Sequence, residues 1–88
     1  MCNFKLFQNY PNPFNPTTRI KFDLPASGFV SIKIYDVMGG EVENLVNENL
    51  EAGSYEVEFN GVNKSSGIYY YKVYTEKYQG TKKMILVK

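Results

Sequence analysis

The sequence predicts an all-β fold, an antiparallel sandwich of about seven strands, and three observations carry that expectation. Apolar and polar residues alternate with a period of two through most of the chain, the pattern of strands with one wet face. Turn residues recur roughly every eight to twelve positions, the spacing of short strands folded back on one another. The chain is also rich in aromatics, with eight Tyr and six Phe among 88 residues. A domain of this size buries only roughly 60–65% of the surface its unfolded chain exposes. Large rings supply the most buried area per residue.

The elements follow in order. Phe4-Lys5-Leu6-Phe7 forms a short first strand with Phe4 and Leu6 on one face. Next comes Asn9-Tyr10-Pro11-Asn12-Pro13-Phe14-Asn15-Pro16, where three X-Pro steps exclude helix and push the backbone toward extended or turn conformations. Asn side chains before Pro bond to nearby backbone and mimic turns. Tyr10 and Phe14 are too apolar for a free hinge, so the segment reads as a stiff clasp pinned to a core. Thr18 to Leu24 is a strand with Ile20, Phe22 and Leu24 inward, and Pro25-Ala26-Ser27-Gly28 is a turn.

Phe29 to Val37 is the longest alternating run, with Val30, Ile32 and Ile34 inward. Tyr35 and Val37 fall on the opposite parity, which suggests a bulge or a switch between sheets. Paired glycines, Gly39 and Gly40, permit the next turn. Glu41 to Val46 alternates again with Val42 inward, whereas Leu45 to Gly53 reads as a loop. Ser54 to Asn60 places Tyr55, Val57 and Phe59 inward, with Glu56 and Glu58 outward. Gly61 to Gly67 is a polar connection and Ile68 to Tyr74 an aromatic strand. Gln79-Gly80 marks a turn into the terminal strand Lys82 to Lys88.

Composition narrows the function. A net charge of +1 gives no electrostatic case for nucleic acid. No apolar run approaches the roughly 18 residues of a membrane span, so membrane insertion is not expected. The single Cys2 forms no internal disulfide. The absence of His removes the commonest general base and metal ligand. No phosphate cradle, calcium loop or nucleophile elbow is present. Catalysis, a cofactor and a metal are therefore not expected. Glu56 and Glu58 share a face at a spacing able to hold a hard cation, but a solvated strand face explains them. Asn63-Lys64-Ser65 matches a glycosylation acceptor and serves as a loop marker.

Two stretches are candidates for binding. Of the tyrosines after Gly67, strand geometry puts Tyr69 and Tyr71 on one face, Tyr70 and Tyr74 on the other. The second pair is suited to stacking on a sugar or a base, or to packing across strands on an outer face. The tail Lys83-Met84-Ile85-Leu86-Val87-Lys88 carries apolar side chains on both faces of one strand, where an outer strand is normally blunted by charge. Either both faces are covered, with Phe4–Phe7 as the available cover, or the strand is presented to a partner. Its lysines have the placement of aggregation gatekeepers.

The run NYPNPFNPTTRIKFDLP, followed in order by IYDVMGGEV, AGSYEVEFNG, SGIYYYKV and TKKMILVK, resembles the type A C-terminal sorting domain of the type IX secretion system. The resemblance runs from about Phe7 to Lys88. Residues 7–88 are thereby expected to form the sorting domain, and residues 1–6 to hold added leading residues and the short first strand. No signal peptide precedes the domain, so it is expected to be the tail of something longer. Gly40 departs from the family, whose members usually carry Arg or Lys there.

The resemblance implies an Ig-like sandwich in which Asn12, Pro13, Phe14, Asn15, Pro16, Gly67, Tyr69 and Tyr71 are motif positions. Tyr69 and Tyr71 are core by the same resemblance, and residues Lys83 to Lys88 take part in recognition by the export machinery. Further implications are an upstream cargo, a partner translocon, and a sortase-like surface peptidase that joins the cargo to surface lipopolysaccharide. The destination implied is the exterior or outer-membrane surface of a Gram-negative cell, reached through the periplasm. Two other readings stand beside this one: a structural Ig-like module, as in hook-capping proteins that share the G-x-Y-x-Y strand, and a small carbohydrate-binding module using Tyr70 and Tyr74.

Overall fold

The computed structural model describes residues Asn3–Lys88 and contains seven strands: β1 (Lys5–Leu6), β2 (Thr17–Leu24), β3 (Gly28–Asp36), β4 (Glu41–Leu50), β5 (Gly53–Asn60), β6 (Gly67–Tyr74) and β7 (Gln79–Leu86). The seven strands pair antiparallel throughout, in a three-stranded sheet ordered β1-β2-β5 and a four-stranded sheet ordered β4-β3-β6-β7. The two sheets face each other as a sandwich. Relative to the constant-type Ig order, the fourth strand lies beside the third instead of joining the sheet of the fifth.

Inward positions match the period-two reading closely. Ile20, Phe22 and Leu24 of β2, Val30, Ile32 and Ile34 of β3, Phe59 of β5, and Tyr69, Tyr71 and Val73 of β6 are all buried. Tyr55 and Val57 are half-buried on the same inner face. The core has two lobes. One surrounds Phe14, Ile34, Phe59, Tyr71, Met84 and Leu86; the other surrounds Phe22, Leu24, Ile32, Val46 and Val73. Leu6, Leu45 and Val57 touch both lobes. A ladder of stacked rings, Tyr55–Phe22–Phe4–Tyr78, crosses the second lobe with centroid spacings of 5.3, 5.9 and 4.3 Å. It fixes the entering chain to the β6–β7 turn.

Two expectations need correction, and a third is met on the partner strand. The stretch from Leu45 onward is not a loop, because β4 continues to Leu50 opposite Gly28. Its periodicity is broken by irregularities in pairing: Val46 faces Ile32 while Asn44 faces Lys33, and Glu43 faces Ile34 while Glu41 faces Tyr35. One residue, Leu45 and then Val42, is therefore extra on the β4 side each time. The first extra residue lets Leu45 and Val46 both contribute to the core, which a regular strand forbids. The second irregularity, between Ile34 and Tyr35, is the bulge expected at that point, with the extra residue on β4. The register of β3 with β6 is unbroken, and Tyr35 lies on the outer face. Finally, Gln79-Gly80 is not a turn but the start of β7. The reversal is Thr75–Tyr78, closed by the Thr75 N–H donating to the Tyr78 carbonyl at 2.8 Å.

The β3–β4 turn is as expected. The Asp36 carboxylate accepts from the N–H groups of Met38 at 3.0 Å and Gly40 at 2.9 Å, and Gly39 takes a φ of +91°.

Candidate functional site

The Pro/Asn segment is a built part of the sandwich. Phe14 is 1% exposed, packs edge-on against Phe59 with ring centroids 5.9 Å apart, and is one of the largest side chains in the core. Tyr10 is 80% exposed, so of the two candidate anchors Phe14 is the pin. Tyr10 serves through its backbone, which exchanges two 3.0 Å hydrogen bonds with Arg19.

Asn9, though only 2% exposed, is fully satisfied. Its N–H donates to the Tyr71 hydroxyl at 2.9 Å, and its side-chain amide donates to Thr18 Oγ1 at 3.0 Å and to the Pro11 carbonyl at 3.2 Å. Thr18 Oγ1 in turn donates to Pro11 at 2.8 Å, and the Tyr71 hydroxyl to Phe7 at 2.7 Å. Prolines supply no N–H, so side-chain amides and hydroxyls do the work that a strand ladder does elsewhere. Burial raises the Tyr71 hydroxyl from its ordinary 10 to about 12, opposed in part by the Asn9 N–H.

The clasp is seated against the outer edge of β7. The Phe14 N–H donates to the Ile85 carbonyl, and the Val87 N–H donates to the Phe14 carbonyl, both at 2.9 Å. Phe14 thus bridges Leu86 in parallel fashion. The Asn12 side chain accepts from the Ile85 N–H at 3.0 Å, and Gln8 Nε2 donates to the Lys83 carbonyl at 2.8 Å. The clasp and Gln8 just before it together satisfy four outward backbone groups of the terminal strand.

This arrangement corrects the expectations for the tail. The edge at residues 83–87 is covered, and the cover is the clasp, not Phe4–Phe7; β1 lies in the other sheet, paired with β2. Met84 and Leu86 fill the core, Ile85 is half-buried, and Val87 is exposed. The apolar run thus serves the core on one face and the clasp junction at the edge. Lys83 is exposed on the outer face opposite Tyr70. Lys88 leaves β7 and docks on the β5–β6 connection, its N–H donating to Ser66 Oγ at 3.1 Å and its Nζ to the Val62 carbonyl at 2.7 Å.

The remaining motif positions converge on the same end of the molecule. Gly67 opens β6 opposite Leu86 with a φ of +149°, which L side chains rarely adopt. Tyr69 pairs with Met84 and donates its hydroxyl to the Ser65 carbonyl at 2.7 Å. Pro16 offers its carbonyl to the Gly61 N–H at 2.8 Å, whereas Pro13 and Asn15 are exposed. Sequence reasoning passed over Gln8, Asn9 and Gly61. A Cβ on Gly61 would lie 2.9 Å from Leu86 Cδ2, so this glycine lets the connection close over the terminal strand. The signal for Asn9 was its place in a proline-rich stretch that needs donors from side chains.

The other candidates are less built. Glu56 and Glu58 are exposed and pair in register with Lys21 and Arg19, with Arg19 Nη1 3.4 Å from Glu56 Oε1. These cations already neutralise the face. Among the described residues no group of three or more potential metal ligands is gathered. A hollow of about 620 Å³ lies at the opposite end of the sandwich, between the Pro25–Gly28 and Thr75–Tyr78 turns. Its lining holds one carboxylate, Glu76, one ammonium, Lys77, and the Tyr78 phenol, with no His, Cys or second carboxylate beside them.

Comparison with known proteins matches this geometry. No curated protein matches the chain. Among solved structures, the chain is similar to dimeric latent PorU from Porphyromonas gingivalis, with a TM-score of 0.71 at 19% identity. That match covers 99% of this chain but only 10% of the PorU chain, and at this identity it shows a shared fold. The model of the secretion system C-terminal sorting domain matches residues 8–88, from the start of the clasp to the end of the terminal strand. The chain therefore belongs to the C-terminal sorting domain family of type IX secretion.

Proposed function

We propose that this domain directs an upstream cargo protein through the type IX translocon to the cell surface, acting as ligand and substrate of that machinery and never as catalyst. Membership of a sorting family supports the general role, and that family is not one of enzymes. The observation that carries the finer reading is the junction of the clasp with β7. Asn12 and Phe14 hold Ile85 and Val87, so the family's opening motif and its terminal block form one surface. A receptor meets the exposed parts of both together: Pro13 and Asn15 of the clasp, Lys83 and Val87 of the tail, and Lys88 over the connection. Recognition by adding a strand to a bare edge is the poorer fit, because the clasp occupies that edge. A sortase-like surface peptidase then separates the domain from its cargo. The route runs through the periplasm to the outer-membrane surface or the medium.

The test fuses the domain to a reporter behind an inner-membrane export signal, in a cell that has the translocon. Lys83→Ala, Lys88→Ala and the double variant are assayed for melting temperature and surface delivery together. Reduced delivery by a folded double variant supports the reading. Delivery at wild-type level removes the charged ends of the tail from the signal, and failure of the unaltered domain to deliver removes the sorting role itself.

A further inference from the structure

The outer face of the four-stranded sheet is unlike a surface that merely needs to stay wet. Register puts Lys33 of β3 directly opposite Lys72 of β6. Like charges at directly opposed positions destabilise a sheet. Glu41 Oε1 lies 3.6 Å from Lys33 Nζ, whereas Lys72 forms no ion pair among the described residues. Lys83 follows on the next strand, opposite Tyr70.

Three tyrosines flank the lysines, Tyr35 opposite Tyr70 on one side and Tyr74 opposite Ser31 on the other. The inward tyrosines Tyr69 and Tyr71 and the rim Tyr55 all donate their hydroxyls to backbone carbonyls. Tyr35, Tyr70 and Tyr74 make no such bond among the described residues, and none joins the ring pairs that bind the core. Tyr35 and Tyr70, both half-buried, stand as a cross-strand pair on this outer face, whereas Tyr74 is exposed opposite Ser31. Phe29, Ser31, Lys33, Tyr35, Asn47 and Lys72, with Tyr74, line an open groove of about 310 Å³. That volume is at the small end of the range for small-ligand sites, roughly 300–1,000 Å³.

We propose that this groove binds an acidic glycan, with a sugar ring on Tyr74 and an acid group between Lys33 and Lys72. Tyrosine offers an apolar ring face together with a polar tip, which suits a sugar's two kinds of surface. Asn47 and the free tyrosine hydroxyls supply hydrogen-bond partners for ring hydroxyls. With Glu41 beside Lys33, the two ammoniums leave one positive charge unbalanced, which favours an acidic sugar over a neutral one. A folded acidic protein is the weaker candidate, since a stable protein interface needs roughly 800 Å² per partner and the aromatic positions here line a short groove. The site lies on the outer face of β3 and β6, apart from the clasp junction, and it stands independently of the sorting role.

The test is an NMR titration of the whole domain at low salt with tetragalacturonate and with a heparin tetrasaccharide. Neutral galactotetraose and hexaglutamate are the comparisons. Shifts centred on Tyr35, Lys72 and Tyr74 with either acidic sugar, weakened at least about tenfold in Lys72→Gln and in Tyr74→Ala, are expected; tenfold corresponds to about 1.4 kcal/mol. Lys72→Gln should keep or raise the melting temperature, because it relieves the opposed pair. Silence with both acidic sugars at millimolar concentration overturns the proposal. So does equal binding of galactotetraose or hexaglutamate, or unchanged binding by the two folded variants.

Discussion

The N–H of Phe14 donates to the carbonyl of Ile85 at 2.9 Å, tying a residue near the start of the chain to the last strand. Strands β2 to β6 and nearly all of β7 lie within the loop that this contact closes, and β1 alone precedes it. The contact is anchored because the Phe14 ring fills the core beside Phe59, Met84 and Leu86. Phe14→Ala should then cost about 3 kcal/mol, the lower part of the range for truncating a buried aromatic. Urea unfolding measures it through the shift in midpoint at constant slope. The matching Tyr10→Ala change should be within about 0.5 kcal/mol, as befits an exposed side chain. Equal costs at the two positions would show that Phe14 is not the pin.

Tyr71 links the clasp to β6 through its hydroxyl, which donates to Phe7 and accepts from Asn9. Its pKa is raised to about 12 by burial, so the neutral form is favoured in the folded state. The unfolded chain releases that proton near pH 10 while the folded one retains it. The stabilisation is fully present below about pH 10 and is lost as the pH rises toward 12, at up to about 1.4 kcal/mol per pH unit. Tyr71→Phe should lower stability at pH 7 by about 1–3 kcal/mol, because the buried Asn9 N–H loses its acceptor. The gap between the two proteins should narrow from pH 10 to pH 12. A gap that stays constant across that range would exclude this tyrosine as the source of alkaline sensitivity.

How much of this was legible follows from the kind of signal each part carries. Strands β2, β3, β5 and β6 repeat a clean alternation, and their inward residues were readable from period alone. β4 was not, because its extra residues at Val42 and Leu45 shift the phase and imitate a loop. In the clasp, proline spacing and two aromatics announced an ordered segment, but nothing local distinguishes Phe14 from Tyr10. Their fates follow from long-range pairing, Phe14 with Leu86 and Tyr10 with Arg19. For the tail, the doubly apolar pattern raised the correct question, whether something covers the strand. The answer depended on a partner some seventy residues earlier, which no periodicity reports.

On β5, Glu56 and Glu58 face Lys21 and Arg19 across the pair with β2. A hard cation would have to displace favourable partners and be held by two carboxylates alone, against the six to eight oxygens calcium prefers. Millimolar calcium should leave the melting temperature unchanged. A rise that disappears in Glu56→Gln plus Glu58→Gln would establish a site on this face.

The last prediction concerns how the terminal edge is capped. The Ile85 N–H is satisfied by the Asn12 side chain, while the Val87 N–H is satisfied by the Phe14 carbonyl, so neighbouring amides depend on different parts of one clasp. Hydrogen exchange reads them separately, because protection reflects the local opening that frees each donor. Asn12→Ala removes only a side-chain acceptor at an exposed position and leaves the Phe14 ring in the core. The Ile85 amide should therefore exchange faster in this variant at unchanged global stability, and the Val87 amide should keep its wild-type rate. Phe14→Ala, by contrast, should accelerate both amides together, since the whole segment loses its anchor. If Asn12→Ala accelerated both amides, the clasp would open as a single unit and Asn12 would be part of its anchor. If neither amide responded, water would replace the Asn12 oxygen without loss, and the edge would owe its protection to Phe14 alone.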